Sequence, residues 1–465
     1  MIRNATRSGC TREAGRLTDQ SGSALATVLV VIIVLLSIFL SAMTYALSRY
    51  SRHMANQNRL VASHLSDAGV SRTVALLQQK RFQPGTQQWS APNGCLIQVE
   101  LSAWGPYVQA RSCGFFRGQK SITVALLGSS HLSWQSAAVT VADESNPLVI
   151  AGHTRIVGNV NTGSQGMIEG QFRGEGVTYP DYHKGVRRQY AALNVPPLDT
   201  AVIDHYKREL RQRRNHVQRR LSGTVVLDST DAETLGSYDD VRIENNLHVQ
   251  NLSLSHWTTP ISVFVDGSVE IAGRTRLSGL IELIAGGAIT VGDSAVVDNI
   301  ILSGEDSVVV RDVAKSSAIL ISAGSIMVRD RATLTYPSLL LADVPDAGPT
   351  RPGGIFLRSR GALESVCYLR EKPFHGFATE RFLYVDTLTQ VRGTLVSQSH
   401  TDMRGRLEGS SLTERYYFEY PPTTYINWLK DAYIDRGKLD FTPVLPALEN
   451  DSTSAYYVLR QDRAR

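Results

Sequence analysis

Between Asp19 and Arg49 the chain carries no charged side chain, an interval from Gln20 to Ser48. Thirteen residues of its centre, Leu25 to Leu40, are Leu, Ile, Val or Phe. At about −0.3 to −0.6 kcal/mol each on an insertion scale, they favour a bilayer by roughly 4–8 kcal/mol. About 20 apolar residues suffice to span a membrane, and this run is longer. A cleaved secretory signal would use Arg3, Arg7, Arg12 and Arg16 as its basic region. Its apolar core would be only about 7–15 residues, so a retained span over residues 24–47 is expected instead. Charge does not set the orientation, because Arg49, Arg52 and Arg59 follow the span as four arginines precede it.

The helical pattern continues past the lipid boundary. Met54, Val61, Leu65, Ala68 and Ala75 recur on one helical face, and no proline interrupts from Ser23 to Gln83. One helix over 23–83 is expected, on the order of 85 Å long at 1.5 Å per residue. Its first half is apolar all round; its second half has a single stripe that must lie on something outside the membrane.

A support follows in residues 84–128. Leu96 to Leu101 alternates, Trp104-Gly105-Pro106 makes a turn, and Tyr107 to Arg111 alternates again. Ser121 to Leu127 supplies a third strand. Cys95 and Cys113 open and close the hairpin, and a register that pairs them would bridge them in an oxidising compartment. Two unrelated buried thiols are the alternative.

A long, half-embedded helix followed by a small antiparallel sheet resembles the type IV pilins and pseudopilins, above all PilX-type minor pilins, over residues 20–128. The run Gln20-Ser21-Gly22-Ser23-Ala24-Leu25-Ala26-Thr27-Val28-Leu29 carries the likeness. The resemblance implies cleavage by a prepilin peptidase after Gly22, leaving Ser23 first. It also implies residues 1–22 as a cytoplasmic leader, a single pass through a bacterial inner membrane, and a periplasmic or surface ectodomain. Position five of the mature chain is Thr27, where major pilins carry Glu for docking between successive subunits. That departure suits a minor, tip or initiating component rather than a repeating fibre subunit.

The second large region is periodic. Segments Ile261–Leu277, Ile281–Val297, Ile300–Ser316 and Ala318–Leu334 align, with turns at Gly267, Gly287, Asp306 and Gly324. Val269, Ile289, Val308 and Ile326 form one column; Ile271, Val291, Val310 and Val328 a second; Val263, Leu283, Leu302 and Leu320 a third. Thr275, Ala295, Ala314 and Ala332 make a column of small residues. Leu247 and Val249 mark an earlier rung, and 151–160 and 391–396 read as further rungs. Short strands pointing alternate residues inward and stacking about every 4.8 Å form a β-solenoid. The rung style resembles right-handed β-helices, including bactofilin-type domains. The expected fold is therefore mainly β: a right-handed solenoid over 147–345 with a pilin-like α+β module and its long transmembrane helix. A β-sandwich with a chance period is the alternative.

A helical insertion is expected within 171–222. Asp199 caps a helix from Ala201 to Leu221 whose apolar side holds Val202, Ile203, Tyr206, Leu210 and Val217. Lys207, Arg208, Arg211, Arg213, Arg214, Arg219 and Arg220, against Asp204 and Glu209, give this segment a charge equal to the whole chain's formal +5. Such a face is either a solvated side of a packed helix or a contact for an anionic glycan, lipopolysaccharide or phospholipid head group. The rest of the chain is near neutral, so no nucleic acid partner is expected. Residues 346–465 read as terminal strands and an amphipathic helix, Thr423 to Arg436, with Ile426, Leu429, Ala432 and Tyr433 inward, capping the open solenoid end.

No phosphate loop, zinc pattern, nucleophile elbow or cofactor motif occurs. Asp293, Asp312 and Asp330 align at a turn, and stacked carboxylates about 5 Å apart match the spacing of retaining glycosidases. Arg311 and Arg329 precede two of them, and Asp is a routine turn residue. A non-enzymatic envelope protein is the leading expectation, acting in assembly with other pilin-like subunits or as a tip or adhesive component. A membrane-tethered carbohydrate-binding or carbohydrate-active β-helix, or a bactofilin-like scaffold, stands behind it.

Overall fold

A computed structural model describes residues 16–79, 82–91, 94–143, 145–217, 219–228, 240–312, 314–344, 353–371, 381–448 and 454–464. Cys10, most of the leader and most of the Pro/Gly loop at 343–354 lie outside the described residues.

One unbroken helix, Arg16–Gln79, opens the chain, with Gly22 and Ser23 near its start. Its apolar half is bare on every side, from Leu25 (74% exposed) to Phe39 (65%). Farther along, the helix buries Ala62, Ser66, Val70, Thr73 and Leu77. The expected stripe is rotated: Leu65 and Val61 sit half-buried at its edge, and Ala68 and Ala75 are exposed. Small residues, rather than the largest apolar ones, set the contact because the backbones approach closely. A Cβ on Gly69 would stand 2.1 Å from Ser112 Oγ, and one on Gly114 would stand 2.2 Å from the Ala62 carbonyl oxygen. Ser66 Oγ and Thr123 Oγ1 then share a buried hydrogen bond of 2.8 Å.

The helix lies on a five-stranded antiparallel sheet, wider than the three strands expected. Gly85–Ala91, Cys95–Trp104, Tyr107–Phe116 and Gln119–His131 follow in order. The fifth strand is Ser454–Ala464, which returns from the end of the chain to pair with Gln119–His131. The whole solenoid is therefore an insertion between two neighbouring strands of this sheet.

The solenoid's columns stand as the repeat predicts. Val263, Leu283, Leu302 and Leu320 are successive partners in parallel register, and the column continues through Leu340, Cys367 and Leu395. Leu247 and Val249 pair with Val269 and Ile271 as an earlier rung. These inward side chains form one continuous core, most of them fully buried. Rungs persist well past residue 345, through Leu357, Val385 and Leu407.

The rung order departs from the expectation. The strands at 137–162 do not stack on the rung at 219–227. They stack on the terminal rungs: Ser411 pairs with Val139, Trp428 with Val149 and Tyr433 with Arg155. Strands His183–Lys184 and Arg187–Gln189 add the next layer. The chain thus begins the solenoid at one end, and the segment with helix Thr200–Asn215 carries it back to start the rungs at Arg219–Leu221 at the other. The expected terminal helix is absent: Thr423–Ile426, Trp428–Lys430 and Tyr433–Asp435 are strands. Asn427 and Asp431 adopt left-handed φ of 58° and 59°, which breaks a helix but turns a rung. The end is covered by the chain's own first rungs instead.

One outer face of the solenoid is apolar as well. Leu280, Ile301, Ile319, Leu339, Tyr368 and Val396 pack with Trp104, Tyr107, Leu126 and Leu127 of the five-stranded sheet into a second core. The turn at Gly105 (φ 59°) seats itself 3.4–3.5 Å from Ile301, Ile319 and Ile321, measured from a Cβ built on it. The sheet and the solenoid are fused through this dry contact.

Candidate functional site

The basic helix is fixed to the solenoid through its charges. Asp199 accepts from Ala201 N at 2.9 Å as its cap, and Val202, Ile203 and Tyr206 face inward. The helix ends at Asn215, short of Leu221, and Arg219 to Leu221 are a strand. Arg213 donates to Asp240 and to Glu282, both at 2.8 Å, and to the Pro260 carbonyl at 3.2 Å. Arg214 holds Asp266 at 2.8 Å, and Lys207 holds Asp343 at 3.0 Å. Three of the seven cations are thus neutralised by solenoid carboxylates, while Arg208, Arg211 and Arg220 face solvent and Arg219 is half-buried.

Glu282 is the buried anchor of this contact at 1% exposed. It accepts from Ser262 Oγ at 2.5 Å. Burial raises its pKa, with the Arg213 cation and the Ser262 hydroxyl pulling the other way. Hydrogen bonds from Arg242 and Arg214 hold the Asp266 carboxyl below its ordinary value. A cleft of about 330 Å³ opens beside Glu282, walled by Trp104, Gln109, Tyr206 and Arg213. A second, of about 390 Å³, lies between Lys207, Arg214 and Arg370 over a floor of Phe264 and Ile284.

Asp293, Asp312 and Asp330 occupy one turn on successive rungs, each with left-handed φ (49°, 60° and 63°). The neighbouring amides close the turns: Ala295 N donates to the Gly292 carbonyl, Ala314 to Arg311 and Ala332 to Arg329, at 3.0–3.3 Å. The small-residue column exists because these turns are tight and their alanines are 0% exposed. Arg311 Nε lies 3.5 Å from Asp312, and Arg329 Nε 3.7 Å from Asp330. Turn geometry explains the column.

Cys95 and Cys113 are not opposed. Cys113 faces Gln98 across the hairpin, and Leu96 faces Phe115, so the register offsets the two sulfurs by several residues. Both are free thiols, as is the buried Cys367. Among the described residues no group of three or more His, Cys, Asp or Glu side chains converges to hold a metal.

Sequence reading missed a belt of aromatic and cationic side chains on a third face of the solenoid, apart from the one under the sheet and the one under the basic helix, that carries the outward residues Met327, Phe356 and Tyr384. Arg358 lies over Tyr384 at 5.1 Å, and Arg404 over Tyr384 and Phe418 at 5.6 and 5.3 Å. Lys430 lies over Phe172 at 5.1 Å, and Arg173 over Tyr420 at 4.1 Å. The signal was present in the outward position between the two inward columns. It runs Glu270, Thr290, Val309, Met327, Phe356, Tyr384 and grows steadily more apolar along the coil.

No protein-family model matches the chain, and no curated protein matches its sequence. Among solved structures, the chain is similar to the competence-associated pilin ComZ from Thermus thermophilus, with a TM-score of 0.21 and 11% identity over 88% of this chain and 97% of that one. At that score the likeness says nothing about what this chain does.

Proposed function

We propose that this chain is a membrane-anchored, non-enzymatic envelope protein of the minor-pilin type, which displays a solenoid as its working surface in assembly or adhesion. One observation carries the reading. A single helix leaves its apolar half bare and seats its other half on a sheet, and the solenoid is inserted between adjacent strands of that same sheet. The bare half cannot remain in water. Thirteen large apolar side chains between Leu25 and Leu40 must face lipid or the helices of similar subunits. The other half is immobilised by the small-residue contact at Gly69 and Gly114, so force on the helix passes directly to the solenoid.

Site-specific photocrosslinking tests the proposal. A crosslinker at Val31 or Leu35 in native membranes is expected to capture other proteins through their own apolar N-terminal helices. Capture of lipid alone, in cells that assemble a pilus-like fibre or secretion pseudopilus, would remove the assembly role.

A further inference from the structure

On the basic helix Lys207, Arg213 and Arg214 already hold carboxylates, which leaves Arg208, Arg211 and Arg220 facing solvent. On the solenoid's third face lies a separate cleft of about 210 Å³, lined by Ser325, Met327, Val328, Arg329, Phe356 and Arg358. Arg329 and Arg358 are register partners on adjacent rungs, as are Met327 and Phe356. Rung spacing therefore sets the two guanidinium stems about 4.8 Å apart on one side and two apolar side chains at the same spacing on the other. The Arg329 side chain is 50% exposed, and its nearest carboxylate, Asp330, stands at a loose 3.7 Å and is 55% exposed. Arg358 is exposed and lies over the Tyr384 ring at 5.1 Å, with Asp386 beside it on the next rung.

We propose that this cleft binds one acidic sugar residue of a carboxylated glycan. The sugar carboxylate lies between Arg329 and Arg358, where two planar guanidinium groups match its two oxygens. The apolar side of the pyranose ring rests on Phe356 and Met327. The ring hydroxyls donate to Asp330, an acceptor that the turn holds at the rim with left-handed φ. Complementarity selects this ligand over a nucleic acid. Both classes offer an anion and a flat face, but a DNA phosphodiester backbone brings no hydroxyl donors for Asp330. A second sugar would continue along the coil onto Tyr384, the next aromatic side chain of the outward column. This inference adds a ligand to the displayed surface and does not depend on the assembly role, which helix crosslinking tests separately.

The test uses the full chain in nanodiscs and tetragalacturonate as the probe, followed by calorimetry. Tetragalacturonate is expected to bind, and its methyl ester, which lacks the charges but keeps the rings and hydroxyls, at least about tenfold more weakly. The double variant Arg329→Lys, Arg358→Lys keeps the charge but loses the planar fork, and it is expected to weaken binding by about tenfold or more. Arg208→Gln, Arg211→Gln on the helix is expected to leave binding unchanged. Should the paired lysines disturb the rungs by circular dichroism, Arg329→Gln alone carries the same expectation at its half-exposed position. Equal binding of acid and ester, no loss in the cleft variants, or displacement of the glycan by single-stranded DNA at lower concentration would each overturn the proposal.

Discussion

Replacing Arg213 with Ala should reveal how the return helix is held. Glu282 is 1% exposed, and its charge is balanced by Arg213 at 2.8 Å. Removing one partner of a buried pair typically costs about 3–5 kcal/mol, because the remaining charge is left without its counterion. The carboxylate can escape the penalty only by taking up a proton. Burial already raises the Glu282 pKa in the folded chain, and loss of the opposing cation raises it further. A carboxyl whose folded pKa lies above its unfolded value contributes stability below the unfolded pKa and loses it as pH rises through the folded one. The deficit of Arg213→Ala against the parent should therefore be small near about pH 4 and reach its full size near about pH 8. Urea unfolding followed by intrinsic tryptophan fluorescence, to which Trp104 beside the Glu282 cleft contributes, reads this directly. A deficit independent of pH, or one that grows as pH falls, would refute the assignment of Glu282 as the uncompensated charge. Replacing both residues with Met should restore most of the loss.

Three further outcomes are expected. Val291→Asp places an unpaired carboxylate at a 0% exposed position between Ile271 and Val310, and should abolish the solenoid's strand signal in circular dichroism, while a native spectrum would contradict the column. Gly69→Ala should lower stability by roughly 1–3 kcal/mol in thermal unfolding, because the new methyl meets Ser112 Oγ and Ile97; an unchanged midpoint would mean the helix sits higher on the sheet. In the native protein, iodoacetamide should label the half-buried Cys95 and Cys113 but spare Cys367, whose thiol burial pushes up to about 12; protection of the first pair that is lost on reduction would indicate a bridge.

Legibility in the sequence followed the range of the interactions. The solenoid columns were readable because each rung repeats the same inward positions within about twenty residues, so Val269 to Ile326 align without knowledge of any partner. Rung order was not. Any rung fits on any other, and nothing in 137–162 states that it meets 406–435 rather than 219–227. The fifth strand of the antiparallel sheet was hidden for the same reason, since its partner lies more than 300 residues earlier in the chain. The terminal helix failed where two periods coincided: Ile426, Leu429, Ala432 and Tyr433 suit a helical face, yet left-handed Asn427 and Asp431 put Leu429, Ala432 and Tyr433 on a rung and leave Ile426 exposed on a hairpin. The basic run was correctly located, but charge counted along a sequence cannot show that Asp240, Asp266, Glu282 and Asp343 converge on it. The Arg329–Arg358 cleft was missed because outward positions were ignored once the inward columns had been found.

A working surface held at the membrane requires the N-terminal helix to stay with the solenoid. Carbonate-washed native membranes, with the protein's intact mass and first residues determined, test that most directly. The protein should remain in the membrane fraction, and its N-terminus should lie at or before Ser23, so that Leu25 to Leu40 is retained. Recovery in the soluble fraction with an N-terminus beyond Ser48 would contradict it.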